Sequence, residues 1–298
     1  KDIDLAVDDL LNGTSGSLAP ALEEYAISLS KSWSAWTPEA SVNYRFNDKV
    51  MAYVRVSRGF KAGGFQTAPA TELEASVSYD EENALTTEVG LKSDWFDNRL
   101  RANVAAFTND YEDLQVLQLV EAVPGDVSTL VLVTDNAADA EIKGIELELT
   151  TVPLAGLKIG GSYSYIDATF TDFITNTGSD LSGNRLRRTP KDSYSVFGEF
   201  EHGLGSVGAL TWRIDYVGKG DSYFENNNGP VSFEPSYSLL NGSLRYASPD
   251  KSWEVVLWGK NLTDEVYRVN TIVVSDSGFS RIGPPRTWGL TFRAHFGG

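Results

Sequence analysis

The side chains that most often perform catalysis or bind metals are scarce in this chain. There is no cysteine, and the only two histidines, His202 and His295, lie far apart in the sequence. Without thiolates or a histidine cluster, thiolate and histidine-rich metal sites are excluded. His295 has no serine or aspartate near it at the spacing of a catalytic triad. We therefore predict a protein that is not an enzyme and has no catalytic residue, metal site or cofactor.

Charged side chains instead alternate with apolar ones. Ile145, Leu147 and Leu149 alternate with Glu146 and Glu148, and this period of two is typical of a strand with one apolar and one polar face. Eleven segments show it, near 37–46, 50–58, 84–95, 100–118, 141–152, 157–168, 193–200, 209–217, 236–246, 252–262 and 287–296. The fold class is therefore all-β and antiparallel.

The polar faces of these strands carry many charges. A soluble core could not hold them without strong pairing, whereas the water-filled or plugged lumen of a barrel can. The alternation predicts that the following residues point into such a lumen: Arg45, Arg55, Arg101, Arg213, Arg245, Lys260, Arg293, Glu88, Glu146, Glu148, Asp215 and Glu254.

The connections between the strands alternate in length along the whole chain. Short turns are predicted at 47–49, 96–99, 153–156, 202–208 and 248–251, and long loops near 59–83, 119–140, 169–191, 218–235 and 263–286. A sandwich has no reason to sort its connections in this way. A transmembrane barrel does, because its two ends face different compartments.

Aromatic residues cluster at the strand ends beside the short turns. An interfacial girdle is predicted from Phe46, Trp95, Phe200, Tyr246, Phe296 and Trp253, with Val152 as an exception. The apolar faces would then contact lipid.

Eleven is an odd number, whereas bacterial single-chain barrels have an even number of strands. Ala26 to Trp36 is a poor candidate for a twelfth strand, and residues 1–20 have the composition of a loop. We therefore expect about half of a larger barrel. Lys1 is neither an initiator Met nor part of a signal peptide, so we also expect a processed or partial chain.

The chain is acidic, with 41 acidic and 25 basic residues and a net charge of −16. Nucleic-acid binding is therefore not expected, because it requires basic patches. The acidic residues would keep exposed loops solvated, or alternatively would bind divalent cations that bridge the protein to an anionic lipid surface.

Several stretches resemble motifs of the TonB-dependent outer-membrane receptors. They occur in the expected order and are Ser57–Phe65 (SRGFKAGGF), Glu88–Leu100 (EVGLKSDWFDNRL), Asn136–Ala138 with Lys143–Glu148, Trp258–Tyr267 (WGKNLTDEVY) and Pro285–Thr287. The resemblance implies a barrel of 22 strands that is closed by a plug domain. Eleven strands are half of that number. Gly297 and Gly298 depart from the family pattern, which ends at the last aromatic residue.

The resemblance also implies location, partners and mechanism. Residues 1–36 would be an extracellular loop or partial strand, and residues 37–298 the C-terminal half of a multi-pass barrel in the outer membrane of a Gram-negative bacterium. The expected partners are the remaining N-terminal barrel half, the plug, TonB acting through the plug, outer-membrane lipid or lipopolysaccharide, and a small-molecule ligand. The expected activity is energised uptake of a scarce nutrient such as an iron–siderophore complex.

In such receptors ligands bind on the outer side, where long loops meet the plug. The candidate residues are a basic cluster, Arg185, Arg187 and Arg188, and the neighbouring aromatics Tyr223 and Phe224. The arginines could bind an anionic chelate, but a solvated loop end or pairing with neighbouring acidic loops is the favoured alternative. The aromatics could stack on a sugar or catechol ring, or pack on a neighbouring loop. Arg268 and Arg281, which flank a possible loop hairpin, are not favoured.

Two other functions remain open from the residues alone. One is a passive porin-like channel that is closed by an additional strand. The other is a soluble β-rich module that binds glycans. The transported substrate does not follow from the fold.

Overall fold

A computed structural model describes residues 2–7, 25–66, 72–121, 130–274 and 277–295. The described residues are almost entirely β-structure, with one short α-helix, α1 (Glu72–Ser76), and two short 3-10 helices, Gly205–Val207 and Pro230–Ser232. The strands are β1 (Asp2–Val7), β2 (Tyr25–Ser30), β3 (Glu39–Asn47), β4 (Val50–Lys61), β5 (Gly64–Phe65), β6 (Ser78–Tyr79), β7 (Glu82–Trp95), β8 (Leu100–Glu121), β9 (Leu130–Leu154), β10 (Leu157–Phe173), β11 (Asp192–Gly203), β12 (Ala209–Lys219), β13 (Ser222–Tyr223), β14 (Phe233–Glu234), β15 (Tyr237–Ala247), β16 (Trp253–Lys260), β17 (Arg268–Val274), β18 (Ser277–Ile282) and β19 (Thr287–Ala294).

One antiparallel sheet of 11 strands dominates the structure. Its order is β19-β16-β15-β12-β11-β10-β9-β8-β7-β4-β3, so each strand pairs with its neighbour along the chain once the short ribbons are set aside. These are the eleven strands that the alternating pattern predicts. The four other sheets are two-stranded ribbons, of which three, β5-β6, β13-β14 and β17-β18, lie in the long connections.

The register places apolar residues on one face of the sheet and polar residues on the other. Phe200 lies opposite Trp212 on the apolar face, whereas Glu199 lies opposite Arg213 on the polar face. The apolar face is open, and Leu290 retains 70% of its accessible surface. Such a sheet separates an apolar medium from a polar one, as the wall of a membrane barrel does.

The lengths of the connections confirm the predicted alternation, with one difference. Turns such as Phe96–Asn98, where three successive residues have positive φ, lie at one end of the sheet, and long connections such as 174–191 and 261–286 lie at the other. The segment near 119–140 is not one long loop, because β8 and β9 continue as a hairpin in which Glu121 pairs with Leu130. We call the end of the sheet that carries the short turns the short-turn end, and the opposite end the long-loop end.

The apolar face carries aromatic residues near both ends. At the short-turn end, the Tyr246 ring lies 5.4 Å from Trp253, which lies 6.3 Å from Phe292. Phe296 of the predicted girdle lies outside the described residues. Towards the long-loop end, Tyr194 pairs with Tyr163 and lies 5.8 Å from the ring of Tyr216, a second belt that the sequence reasoning missed. In the described part of the chain, no helix is long and apolar enough to cross a membrane.

In the part of the chain that the structure describes, the two outermost strands of the sheet, β3 and β19, each have an unpaired edge. Within the described residues, no strand pairs with the outer edge of β3 or of β19. β2 covers part of the possible twelfth strand, but it pairs with β1 instead of β3, so the sheet remains at 11 strands. Val42 and Trp288 on these edge strands are 72% and 78% exposed.

The main buried core of the described residues lies at the long-loop end of the sheet. Val116, Ala138 and Phe170 belong to a cluster formed by the β8–β9 hairpin and β10, on which Leu181 and Leu186 of the next loop pack. This core gives the long loops a fixed support.

Candidate functional site

The polar face of the sheet is lined by paired charges. Glu254 of β16 accepts hydrogen bonds from Arg245 at 3.1 Å and from Arg293 at 2.6 Å. Arg213 contacts both Glu199 and Asp215, at 3.2 and 2.6 Å. The register places the other charged residues predicted to point inward on this same face. The face is therefore polar but largely neutralised.

The first long connection is fastened to the segment before the sheet and to the β8–β9 hairpin. Lys31 Nζ lies 2.7 Å from Asp80 Oδ1, and the hydrogen bond and charge of Lys31 lower the pKa of Asp80. Gln66 forms two 2.8 Å hydrogen bonds with the backbone of Thr134. Residues 31–33 thus lie at the long-loop end.

Arg185 of the predicted basic cluster is engaged within the protein. Its guanidinium forms a 2.6 Å ion pair with Asp221, donates to the backbone oxygens of Asp221 and Thr189, and lies over the ring of Tyr223. The side chain of Asn228 accepts a hydrogen bond from the Arg185 backbone N–H at 2.8 Å and donates one to the Arg185 carbonyl oxygen at 2.9 Å. Arg185 therefore joins the loop at 174–191 to the loop at 220–236.

Arg188 is the member of the cluster that lines a cavity. Its φ of +59° is unusual for arginine, and its backbone N–H donates to Tyr223 O at 2.6 Å. Its guanidinium donates to Asn270 Oδ1 of β17 at 2.5 Å. The cavity has a volume of about 610 Å³ and is lined by Arg188, Asn270, Arg281 and neighbouring residues of the last loop.

Arg281 completes the cationic part of this cavity. It lies on β18 directly opposite Asn270, and its side chain is exposed and has no hydrogen bond or ion pair among the described residues. Two guanidinium groups and an amide around a space of this size provide donors for an anionic small molecule. Arg187 is exposed, and its side chain has no hydrogen bond or ion pair within the described part of the chain.

The two predicted aromatics have structural partners. Phe224 is only 5% exposed, and the Arg268 guanidinium lies 5.7 Å from its ring centre. Tyr223 lies 5.3 Å from Phe233. In this conformation both rings pack between loops, and Phe224 has no open face for a ligand.

Four further residues that position the loops were not singled out from the sequence. Asp221, Asn228, Glu234 and Asn270 each bind an arginine that lies tens of residues away in the chain. The two arginines that flank the apolar stretch 271–274 were the available signal, since Arg268 binds Glu234 and Arg281 lines the cavity.

The residue types most often found in metal sites are not grouped in the described part of the chain, and both histidines have structural contacts. Among the residues that the structure describes, no three His, Cys, Asp or Glu side chains are grouped so as to hold a metal ion. His202 stacks on Phe200 at 6.3 Å, and His295 donates its backbone N–H to Ser252.

Comparison with known proteins gives one consistent result. Residues 6–262 match the family model described as TonB dependent receptor-like, beta-barrel. The chain is 30% identical over 221 residues to the metal-pseudopaline receptor CntO of Pseudomonas aeruginosa, covering 71% of this chain and 27% of that receptor. It is 23% identical over 263 residues to the ferric-pyoverdine M114 receptor PbuA of Pseudomonas sp., covering 87% and 29%.

A solved structure agrees with the fold. The ferric yersiniabactin uptake receptor FyuA of Yersinia pestis superposes with a TM-score of 0.77 at 22% identity, covering 93% of this chain and 40% of that one. The chain spans less than a third of the length of CntO and of PbuA. The family lies in the outer membrane of Gram-negative bacteria, which agrees with the open apolar face and its aromatic belts. The chain belongs to the TonB-dependent receptors and forms 11 strands of their outer-membrane β-barrel.

Proposed function

We propose that this chain forms the wall and several outer loops of a receptor for the energised uptake of an anionic metal chelate of the siderophore type. The observation that carries the proposal is the cavity of about 610 Å³ at the long-loop end, with Arg188 and Arg281 on its wall. The metal is cargo within the chelate, so the protein needs only to recognise the chelate. The names of the two curated relatives, receptors for metal-pseudopaline and ferric pyoverdine, support this class of ligand.

The long-loop end would face outward and receive the ligand. Residues 1–36 would belong to this outer side, since Lys31 is paired with Asp80 of the first long connection. Residues 37–298 would be the C-terminal half of the barrel. A plug domain rearranged by TonB would then release the ligand inward through the polar lumen.

The remaining barrel half is the partner that the sheet requires. In lipid, each unpaired backbone group at the edges of β3 and β19 would cost several kcal/mol. Strands from the N-terminal half, pairing at both edges, would bring the count to an even number, 22 in this family. Outer-membrane lipid and lipopolysaccharide would cover the apolar face between the two aromatic belts.

Uptake by cells that express the complete receptor tests the proposal. The probes are metal-loaded pseudopaline, ferric pyoverdine and ferric yersiniabactin, each measured with and without TonB. At least one should be taken up only when TonB is present, and uptake at low concentration should fall more than tenfold in the double variant Arg188→Gln/Arg281→Gln. Arg99→Gln, the same change at the short-turn end, is the control.

Two results would contradict the proposal. Uptake without TonB, together with single-channel conductance of the receptor, would indicate a passive channel. Uptake that is unaffected by the double variant would exclude this cavity as the capture site.

A further inference from the structure

The hairpin formed by β17 and β18 buries the polar residue Thr271 and exposes the large apolar residues Ile272 and Phe279. Thr271 is 1% exposed and hydrogen-bonds Ser280 across the hairpin at 3.0 Å. Ile272 and Phe279, a directly paired couple on the opposite face, are 57% and 69% exposed. A hairpin folded only for its own stability would bury the opposite face, because burial of apolar surface is the main favourable contribution.

The inverted orientation is fixed by contacts on the buried side. Gly278 leaves no room for a side chain between its backbone and Val231 of the neighbouring loop. At the base of the hairpin, Arg268 binds Glu234 at 2.6 Å and Val231 O at 3.2 Å. The apolar face is therefore held outward by a packed interface, in one defined position.

The exposed apolar pair is continuous with the cationic cavity. Side chains two residues apart in a strand point to the same face. Asn270 and Arg281 are therefore on the face that carries Ile272 and Phe279, one step nearer the base. Arg188 reaches this face from the loop at 174–191. One surface thus presents two guanidiniums and an amide beside an aromatic and a branched aliphatic side chain.

We infer that this surface binds an amphiphilic anion, with the anionic group between Arg188 and Arg281 and an aryl or acyl group on Ile272 and Phe279. The inference rests on the proposed function, whose capture site it extends from charge alone to charge plus apolar surface. The adjacent cations and the size of the cavity favour a small molecule over a protein segment as the occupant of the apolar face. Ligands with the same charge but no apolar group would bind more weakly.

Three small probes test the two halves of the surface on the complete receptor in lipid nanodiscs. They are 2-naphthalenesulfonate (anionic and aryl), methanesulfonate (anionic only) and 2-naphthalenemethanol (aryl only), measured by equilibrium dialysis against empty nanodiscs. We expect 2-naphthalenesulfonate to bind at least tenfold more tightly than either of the others.

Variants then separate the two contributions. Phe279→Ser should weaken 2-naphthalenesulfonate about tenfold and leave methanesulfonate unchanged, whereas Arg281→Gln should weaken both sulfonates. Phe279→Leu keeps an apolar side chain and should retain most of the affinity, which controls for misfolding of the hairpin. Equal binding of the two sulfonates, or no effect of Phe279→Ser, would overturn the inference.

A thiol probe identifies coverage by the rest of the protein. The chain has no cysteine, so Phe279→Cys introduces a unique thiol into it. Rapid labelling by a membrane-impermeant maleimide, slowed by 2-naphthalenesulfonate, is the expected result. A thiol that is unreactive without the probe would show a protein segment on this face and overturn the inference. If Phe279→Ser has no effect while uptake still requires Arg188 and Arg281, the inference fails and the proposed function stands.

Discussion

Arg268 and Glu234 form a nearly buried ion pair that fastens the last long loop to the long loop before it. Arg268 Nε donates to Glu234 Oε2 at 2.6 Å, and the backbone N–H of the same arginine donates to Oε1 at 2.8 Å. Glu234 is only 5% exposed. Both carboxylate oxygens are therefore used at the base of the β17–β18 hairpin, and the pair fixes where that hairpin leaves the sheet.

Glu234→Gln should loosen the hairpin without unfolding the barrel. The substitution keeps the shape of the side chain but leaves a largely buried guanidinium without its counter-charge, at a cost of about 3 kcal/mol. Hydrogen exchange of the amides in residues 268–282 should accelerate, while the sheet amides remain protected. Glu39→Gln removes an exposed pair with Arg55 and should change local stability by less than about 1 kcal/mol. Equal exchange in the two variants would contradict this role.

Of two glycines in one motif, only Gly63 should be sensitive to substitution by alanine, whereas Gly59 should tolerate it. A Cβ at Gly63 would overlap the Trp33 indole and the backbone of Tyr79, whereas a Cβ at Gly59 would meet nothing within 4 Å. Gly63→Ala should therefore displace Trp33 from Phe65, on which it packs at 5.9 Å. Limited proteolysis should then cut residues 25–36 faster, and Gly59→Ala should behave as the wild type. Unchanged cleavage in Gly63→Ala would show that the contact is dispensable.

The turn at residues 248–252 should lose stability in acid. Hydrogen bonds from Ser248 Oγ, Ser252 Oγ and the Ser252 N–H lower the pKa of Asp250 from 3.8 to about 2. Because the folded-state pKa is the lower one, the contribution is complete above about pH 4 and is lost as the pH falls towards 2. Carboxyl NMR should show Asp250 titrating near pH 2, and at higher pH in Ser248→Ala. Ser206→Ala, in another short turn, should leave this titration unchanged.

The strands were predictable because a wall between two media imposes a local rule on every second residue. The alternation of Ile145 and Glu146 predicts which face of the strand each side chain is on, without any information about the partner strands. The pairing of Arg188 with Asn270 has no such signal, since 82 positions separate them and loops have no periodicity. The burial of Phe224 could not be predicted either. Its aromatic side chain suggests ligand binding, and only contacts with neighbouring loops bury it. The predicted girdle covers only the strand ends beside the short turns, so it does not include Tyr163, Tyr194 and Tyr216 near the long-loop end.

Asn261 should be the most sensitive residue of the motif near the C-terminus. Its side chain donates to Glu265 O at 2.9 Å and Pro284 O at 3.2 Å and accepts from the Glu265 N–H at 2.8 Å, while its φ is +49°. It is 4% exposed, and Asn261→Ala removes its three hydrogen bonds to the loop backbone and strains the backbone at this position, at a cost of about 2–3 kcal/mol.

Asn261→Gly separates the two contributions, because glycine tolerates the positive φ but makes none of the hydrogen bonds. We expect Gly to recover only the strain, leaving this variant between Ala and the wild type. The readouts are hydrogen exchange over residues 262–286 and the temperature at which the folded barrel loses resistance to SDS. Asn43→Ala, on the exposed edge strand β3, is the control. If Gly and Ala were equal, strain would contribute nothing, and the three hydrogen bonds alone would hold both ends of the last long loop together.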